Sequence, residues 1–189
     1  MTCMEPFAQI TGTARIYLAP VRETPPAVNV SPAGNWVLLG ETEGEQSIEH
    51  AGPLTYFRTN ERTGPVKAVR PEETITVSFT LVDLTYENYA RVLHSVNKLV
   101  TSTSPARIEM PFSRGFCPTE YALLMHGTAD SPYGLYPAFN YLPRVVSASE
   151  PTVTRSKDGR ASLACQFVVM VDYQAAAGYD LGYAVAQTS

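Results

Sequence analysis

The chain has 189 residues, enough for one domain of ordinary size with projecting arms. A net charge of −4 does not suggest a basic surface built to hold nucleic acid. Only 17% of residues are charged, against about 25% in an average domain, so the surface is either rich in Ser, Thr and Tyr or partly covered in an assembly.

The 15 Pro and 12 Gly predict the many turns of an all-β protein. Three cysteines, Cys3, Cys117 and Cys165, without a C-x-x-C, point away from a disulfide framework and toward thiols kept reduced, with Cys165 expected in the core. MTCMEPFAQITG at the start has neither a basic end nor a long apolar run, and no signal peptide is expected from it. The longest apolar runs, such as FVVMV at 167–171, are too short to cross a bilayer as a helix.

GTARIYLAP (12–20) alternates apolar and polar residues and predicts a strand ended by Pro20, followed by a loop over 23–35. NWVLLGE (35–41) predicts a short strand stopped by Gly40, with QSIEH (46–50) pairing back to it as a hairpin. Segment 41–49 carries Glu41, Glu43, Glu45 and Glu49; segment 58–70 carries Arg58, Arg62, Lys67 and Arg70. These are two solvated loop surfaces, or complementary patches on neighbouring copies. Residues 51–72 form an unusually long connection whose Leu54, Tyr56 and Phe57 are not loop filler; a hairpin that leaves the body and packs on something else fits them.

TITVSFTL (74–81) sets Ile75, Val77, Phe79 and Leu81 on one side and Thr74, Thr76, Ser78 and Thr80 on the other, which predicts a strand dry on one face and wet on the other. A helix is predicted from Thr85 as N-cap, with Glu87 in the first turn and a stripe of Tyr89, Val92, Leu93, Val96 and Leu99, ended by TSTSP at 101–105. RIEMPF (107–112) and TEYALLMHG (119–127) read as strands, and 131–143 as an aromatic loop with Tyr133, Tyr136, Phe139 and Tyr141. Residues 144–155 and 160–173 read as a long hairpin turned near Asp158-Gly159. Residues 1–173 are expected as one domain, and 174–189 as a C-terminal arm ordered only if it docks. The fold class is an antiparallel β-sandwich with one flanking helix.

Chemistry-bearing patterns are weak. Ser95-x-x-Lys98 lacks the partner motifs of Ser–Lys enzymes, and Cys117 and His126 are separated along a strand that rises about 3.3 Å per residue. His50 and His94 are isolated. No H-E-x-x-H, G-x-S-x-G, P-loop or G-x-G-x-x-G is present, so no catalytic residue, metal or cofactor is implied. The aromatic loop at 131–143 is the best small-ligand candidate, which keeps a carbohydrate- or receptor-binding or decoration module as an alternative, although tyrosines equally fill cores and interfaces.

Trp36 to Gly40 (W-x-x-L-G), the long connection, Glu73 to Leu81 (E-x-x-x-V-x-x-x-L) and Leu84 to Asn88 (L-T-x-E-N), in that order, resemble the tail tube, or major tail, proteins of long-tailed bacteriophages. With the 144–173 hairpin, the resemblance covers about half of the chain. It implies a non-enzymatic, ring-forming sandwich that stacks as hexamers into a tube, with the long loop and terminal arms bridging subunits and rings. It also implies tape measure and tail-end partners, a virion location after synthesis in the host cytoplasm, no membrane, and double-stranded DNA passing through without specific binding. Thr74, Thr76, Ser78 and Thr80 would then line the channel, or else lie on an outer solvent surface. A subunit interface would use Glu43, Glu45, Leu54, Tyr56, Phe57, Arg58, Arg62, Lys67 and Arg70.

Overall fold

The computed structural model describes residues 12–93, 98–112, 117–148, 153–154 and 161–188. In chain order these form β1 (Arg15–Pro20), β2 (Val37–Leu38), β3 (Thr42–Ala51), β4 (Thr55–Phe57), β5 (Lys67–Val69), β6 (Thr74–Leu81), α1 (Tyr86–Val92), β7 (Val100–Thr103), β8 (Ala106–Glu109), β9 (Glu120–Gly127), β10 (Ala138–Ser147), β11 (Val153–Thr154), β12 (Ser162–Val169) and β13 (Tyr183–Ala186). The fold is antiparallel β-sheet with, among the described residues, one short helix.

The main sheet runs β2-β1-β9-β10-β12-β6-β3, with β11 beside β12 and β13 beside β10. It folds over on itself. Ile16 and Leu18 of β1 and Leu123 and Met125 of β9 share one core with Val77, Phe79 and Leu81 of β6 and Cys165 and Phe167 of β12. The fold is placed at β10, whose register slips between Leu142 and Val145; such a bulge bends a strand and increases its twist. Beyond the bulge β10 pairs with β12, and before it with β13. Phe79 and Phe167 stack at the centre, 5.8 Å between centroids and 8° between planes.

β9 is buried along almost its whole length because it is covered twice. Tyr121, Leu123 and Met125 face the central core, while Ala122 and Leu124 face a second cluster with Trp36, Phe139 and Tyr141. Tyr183 and Val185 of β13 pack onto that cluster. The aromatic segment is thus largely structural, and its second half is strand rather than loop: Phe139 and Tyr141 lie in β10, and the Tyr141 hydroxyl donates to the Glu23 carbonyl at 2.9 Å. Burial foremost, then the neighbouring Tyr183, Asp172 and Glu23, pushes the Tyr141 phenol up to about 12, which keeps it a donor.

Several sequence expectations are corrected. The 35–41 and 46–50 segments do not pair with each other. β2 keeps two residues and pairs with β1, while β3 begins at Thr42 and pairs with β6, at the far end of the sheet. Gly40, at φ +122°, redirects the chain between them; a Cβ there would come within 3.1–3.3 Å of Asp83 and Asn88. The helix starts as expected, with Thr85 Oγ1 accepting from the Asn88 N–H at 3.2 Å, but ends at Val92. Leu99 lies outside it, just before β7, whose Thr and Ser suit a strand. Val96, His94 and Asp158-Gly159 fall outside the described residues.

Candidate assembly surface

β6 carries the predicted two-sided pattern. Val77, Phe79 and Leu81 are buried, whereas Thr76, Ser78 and Thr80 are half-buried and Thr74 is exposed. Register extends the hydroxyl face sideways. Ser47 and Gln166 flank Ser78, Glu49 and Val168 flank Thr76, and Glu43 and Ala164 flank Thr80. The only charges among these register-matched positions are the carboxylates of Glu43 and Glu49. The surface is broad, hydroxylated and mildly acidic, without a cation to hold a phosphate.

β3 ends the sheet. It is ten residues long, and apart from Thr42 and Gln46 its residues are exposed. Its other flank carries no strand among the described residues, and a long strand at the end of a sheet is a place where a further strand can pair. Its bulge between Glu43 and Ser47 has a separate task. The Gln46 amide donates to the Ala14 carbonyl at 2.8 Å and accepts from the Ala14 N–H at 3.2 Å, imitating a backbone pair where the folded sheet closes.

The 51–72 segment leaves the body. Ala51 pairs with Thr74, so residues 52–73 form the connection of a β3–β6 hairpin and carry the small β4–β5 sheet outward. Every residue from 53 to 70 is exposed, including Leu54, Tyr56 and Phe57 at about half of full exposure, 48%, 56% and 52%. Among the described residues β4 and β5 have no substantial packing against any other strand or helix. A two-stranded ribbon is at best marginally stable in water, so apolar residues on such a ribbon call for a cover.

The structure separates the candidate interface charges into two groups. Arg70 is already paired on its own chain with Glu73 at 3.3 Å, and Glu73 also meets His50 at 3.6 Å. Arg58, Arg62 and Lys67 make no ion pair among the described residues. A second exposed ribbon, β7–β8, was not anticipated because 101–105 was read as the run that ends the helix and not as a strand; Val100 and Ile108 lie open on it.

Two of the three motifs of the sequence resemblance meet in space. Asn88 of Leu84–Asn88 is buried, donates to the Asp83 carbonyl at 3.4 Å and accepts from Arg91 at 3.0 Å. Gly40, which closes the Trp36–Gly40 motif, packs against the same Asp83 and Asn88. Their shared task is structural: together they seat the helix over the turn that sends the chain across the sandwich.

Of the C-terminal segment 174–189, the described residues 174–188 are docked on their own chain through β13. Gly182, at φ +120°, passes so close that a Cβ would lie 2.3 Å from the Tyr141 carbonyl. A charge clip holds its root. Arg22 Nε donates to Asp172 Oδ1 at 2.8 Å, Arg144 Nε donates to Glu120 Oε2 at 2.8 Å, and Arg144 Nη1 donates to the Val171 carbonyl at 3.1 Å. Both carboxyls sit below their ordinary range, Glu120 chiefly through its hydrogen bond from Arg144 and Asp172 chiefly through the Gln174 N–H and then Arg22.

The enzyme-like pairs do not assemble. His126 is buried with Nε2 at 3.2 Å from the Val28 carbonyl, while Cys117 is exposed. Burial pushes the Cys165 thiol up to about 12 and makes it inert. Ser95 lies outside the described residues. Of the aromatic segment, Tyr133 is exposed, which leaves little of a stacking platform for sugars. No helix among the described residues is long and apolar enough to cross a membrane.

No family model and no curated protein matches the sequence. Among solved structures, the chain is similar to one in the tail of an empty GTA particle, determined by helical refinement with C6 symmetry. The two share 9% identity with a TM-score of 0.48, over 83% of this chain and 90% of that one. A likeness of this degree does not by itself say what the chain does.

Proposed function

We propose that this chain is a non-enzymatic structural subunit of a phage-type tail tube, assembling as stacked hexameric rings around a channel through which DNA passes. The observation that carries the reading is β3, a ten-residue strand that ends the sheet among the described residues and borders a surface that is dry on one face and hydroxylated on the other. Soluble monomers protect such edges; a ring uses them. The sequence motifs at 36–40, 73–81 and 84–88 add to it, as does the uncovered β4–β5 ribbon.

In this assembly Thr74, Thr76, Ser78 and Thr80 line the channel. A basic lining would bind DNA by counterion release and arrest it; a hydroxylated and acidic one lets it slide. Glu43 and Glu45 of one copy and Leu54, Tyr56, Phe57, Arg58, Arg62 and Lys67 of another form the subunit contact. Arg70 contributes only if it exchanges Glu73 for a partner. Tape measure and tail-end proteins are the further partners, and the assembled product resides in the virion tail after synthesis in the host cytoplasm.

Negative-stain microscopy of the purified chain tests the reading, with stacked rings or tubes as the expected result. A compact monomer at every concentration would overturn it. Labelling of Thr76→Cys by bulky thiol reagents in assembled tubes tests the lining, and ready labelling from outside would remove it.

A further inference from the structure

We propose that Arg22 is a strained brace that makes the docking of the C-terminal segment and the bend of β10 one cooperative state. The inference concerns the lone chain and does not rest on the assembly reading.

The backbone at Arg22 is one that an arginine does not favour. Residues 20–23 form a tight turn closed by the Glu23 N–H on the Pro20 carbonyl at 3.0 Å. Arg22 stands third in that turn with φ +63°, where glycine or asparagine is the usual residue. It is the only residue other than glycine with positive φ among the described residues. Such a conformation persists where the surroundings over-determine it, and glycine would be the easier occupant if the side chain had no task.

The contacts of Arg22 run in two directions. Its N–H donates to the carbonyl of Pro143 at 2.9 Å, within the bulge that bends β10. Its Nε donates to both oxygens of the buried Asp172 carboxylate, at 2.8 and 3.0 Å. Asp172 in turn organises the chain that leads to β13. Its carboxylate accepts from the Gln174 N–H at 3.0 Å, its carbonyl accepts from the Ala175 N–H at 3.1 Å, and its N–H donates to the Asp180 carbonyl at 2.8 Å.

The other residue of the bulge is tied to the same stretch. The Arg144 carbonyl accepts from the Met170 N–H at 2.8 Å, and Arg144 Nη1 donates to the Val171 carbonyl at 3.1 Å. The step from Pro143 to Arg144 is therefore clasped between the 20–23 turn and the root of the C-terminal segment. If Asp172 lets go, its hold no longer offsets the left-handed backbone of Arg22. The turn then relaxes, and the carbonyl of the buried Pro143 loses its donor, which is costly. Release of the segment and loosening of the bulge follow together.

Two measurements on unassembled protein test this. Arg22→Gly and Arg22→Ala both lose the guanidinium, but only glycine relieves the backbone. Arg22→Gly is expected to unfold at the higher urea midpoint, the reverse of the order at positions of ordinary φ, where glycine is the less stable. Amide exchange in Asp172→Asn reads the coupling. The Arg22 and Met170 amides are expected to exchange at least tenfold faster, by the same factor as those of 183–187. The Ala148 amide, which donates to the Gln166 carbonyl at 2.8 Å between the same two strands, should keep its rate. A higher midpoint for the alanine variant overturns the strain at Arg22. Faster exchange at 183–187 with the Arg22 amide unchanged overturns the coupling, as does equal acceleration at Ala148 or no acceleration anywhere.

Discussion

Replacing the ribbon by a minimal turn isolates assembly from folding. Ala51 and Thr74 are already paired, so joining them through Asn-Gly in place of residues 52–73 converts a connection of about 22 residues into a two-residue hairpin turn. Loop-closure entropy scales as (3/2)RT ln n, so this shortening stabilises the monomer by on the order of 2 kcal/mol. What is lost is small. Residues 53–70 are exposed, and exposed ion pairs such as Arg70–Glu73 are worth at most about 1 kcal/mol. The variant monomer is expected to be more stable than the parent by about 1–2 kcal/mol. With a urea slope of about 2 kcal/mol/M, its unfolding midpoint rises by about 0.5–1 M in unassembled fractions. The same variant forms no tubes under the microscope. A midpoint that falls would show that the ribbon supports its own domain, and tubes of normal length would show that it bridges nothing; either result refutes the reasoning.

Phe167→Ala removes a fully buried ring stacked on Phe79 and should cost about 3–5 kcal/mol in urea unfolding, whereas a loss under 1 kcal/mol would contradict the folded-over core. Arg62→Glu should reduce polymerisation measured by light scattering, and Glu45→Arg added to it should partly restore it; no coupling between the two would argue against a direct contact. The clip at Asp172 and Glu120 has a defined pH response. Both folded values are lowered, so the stabilisation is complete above the unfolded values of about 4 and fades as pH falls through the folded ones. Amide exchange over 170–188 should therefore stay slow at pH 7, accelerate beyond its intrinsic trend below about pH 4, and already be fast at pH 7 in Asp172→Asn. Equal protection in that variant at pH 7 would show that the clip does not hold the segment.

The parts legible in the sequence are those where one physical constraint acts alone. β6 alternates because it has one dry face, and Thr85 marks the helix start because a hydroxyl there satisfies the Asn88 N–H. β9 was legible as a strand, but its double burial was visible only as an unbroken apolar run. β3 was half-read: Glu41 to Glu45 carry no apolar alternation, since that edge faces water on both sides in a lone chain. The partner of β3 was invisible because the exchange of sheet ends turns on the backbone of Gly40, not on any pattern in the strands. β13 escaped notice because Ala184 and Ala186 are too small to signal a face, and their docking is set by Gly182 and Tyr183 against β10. Within the candidate surface, the hydroxyl face and the exposed ribbon were both expected. That Arg70 is satisfied at home could come only from the fold.

Amide hydrogen exchange on unassembled and assembled protein addresses the central claim most directly. The account predicts that amides of 42–51 whose partners lie outward exchange fast in the lone chain and become protected on assembly, together with those of the 54–69 ribbon. Tubes in which β3 and the ribbon exchange as fast as in the monomer would contradict it.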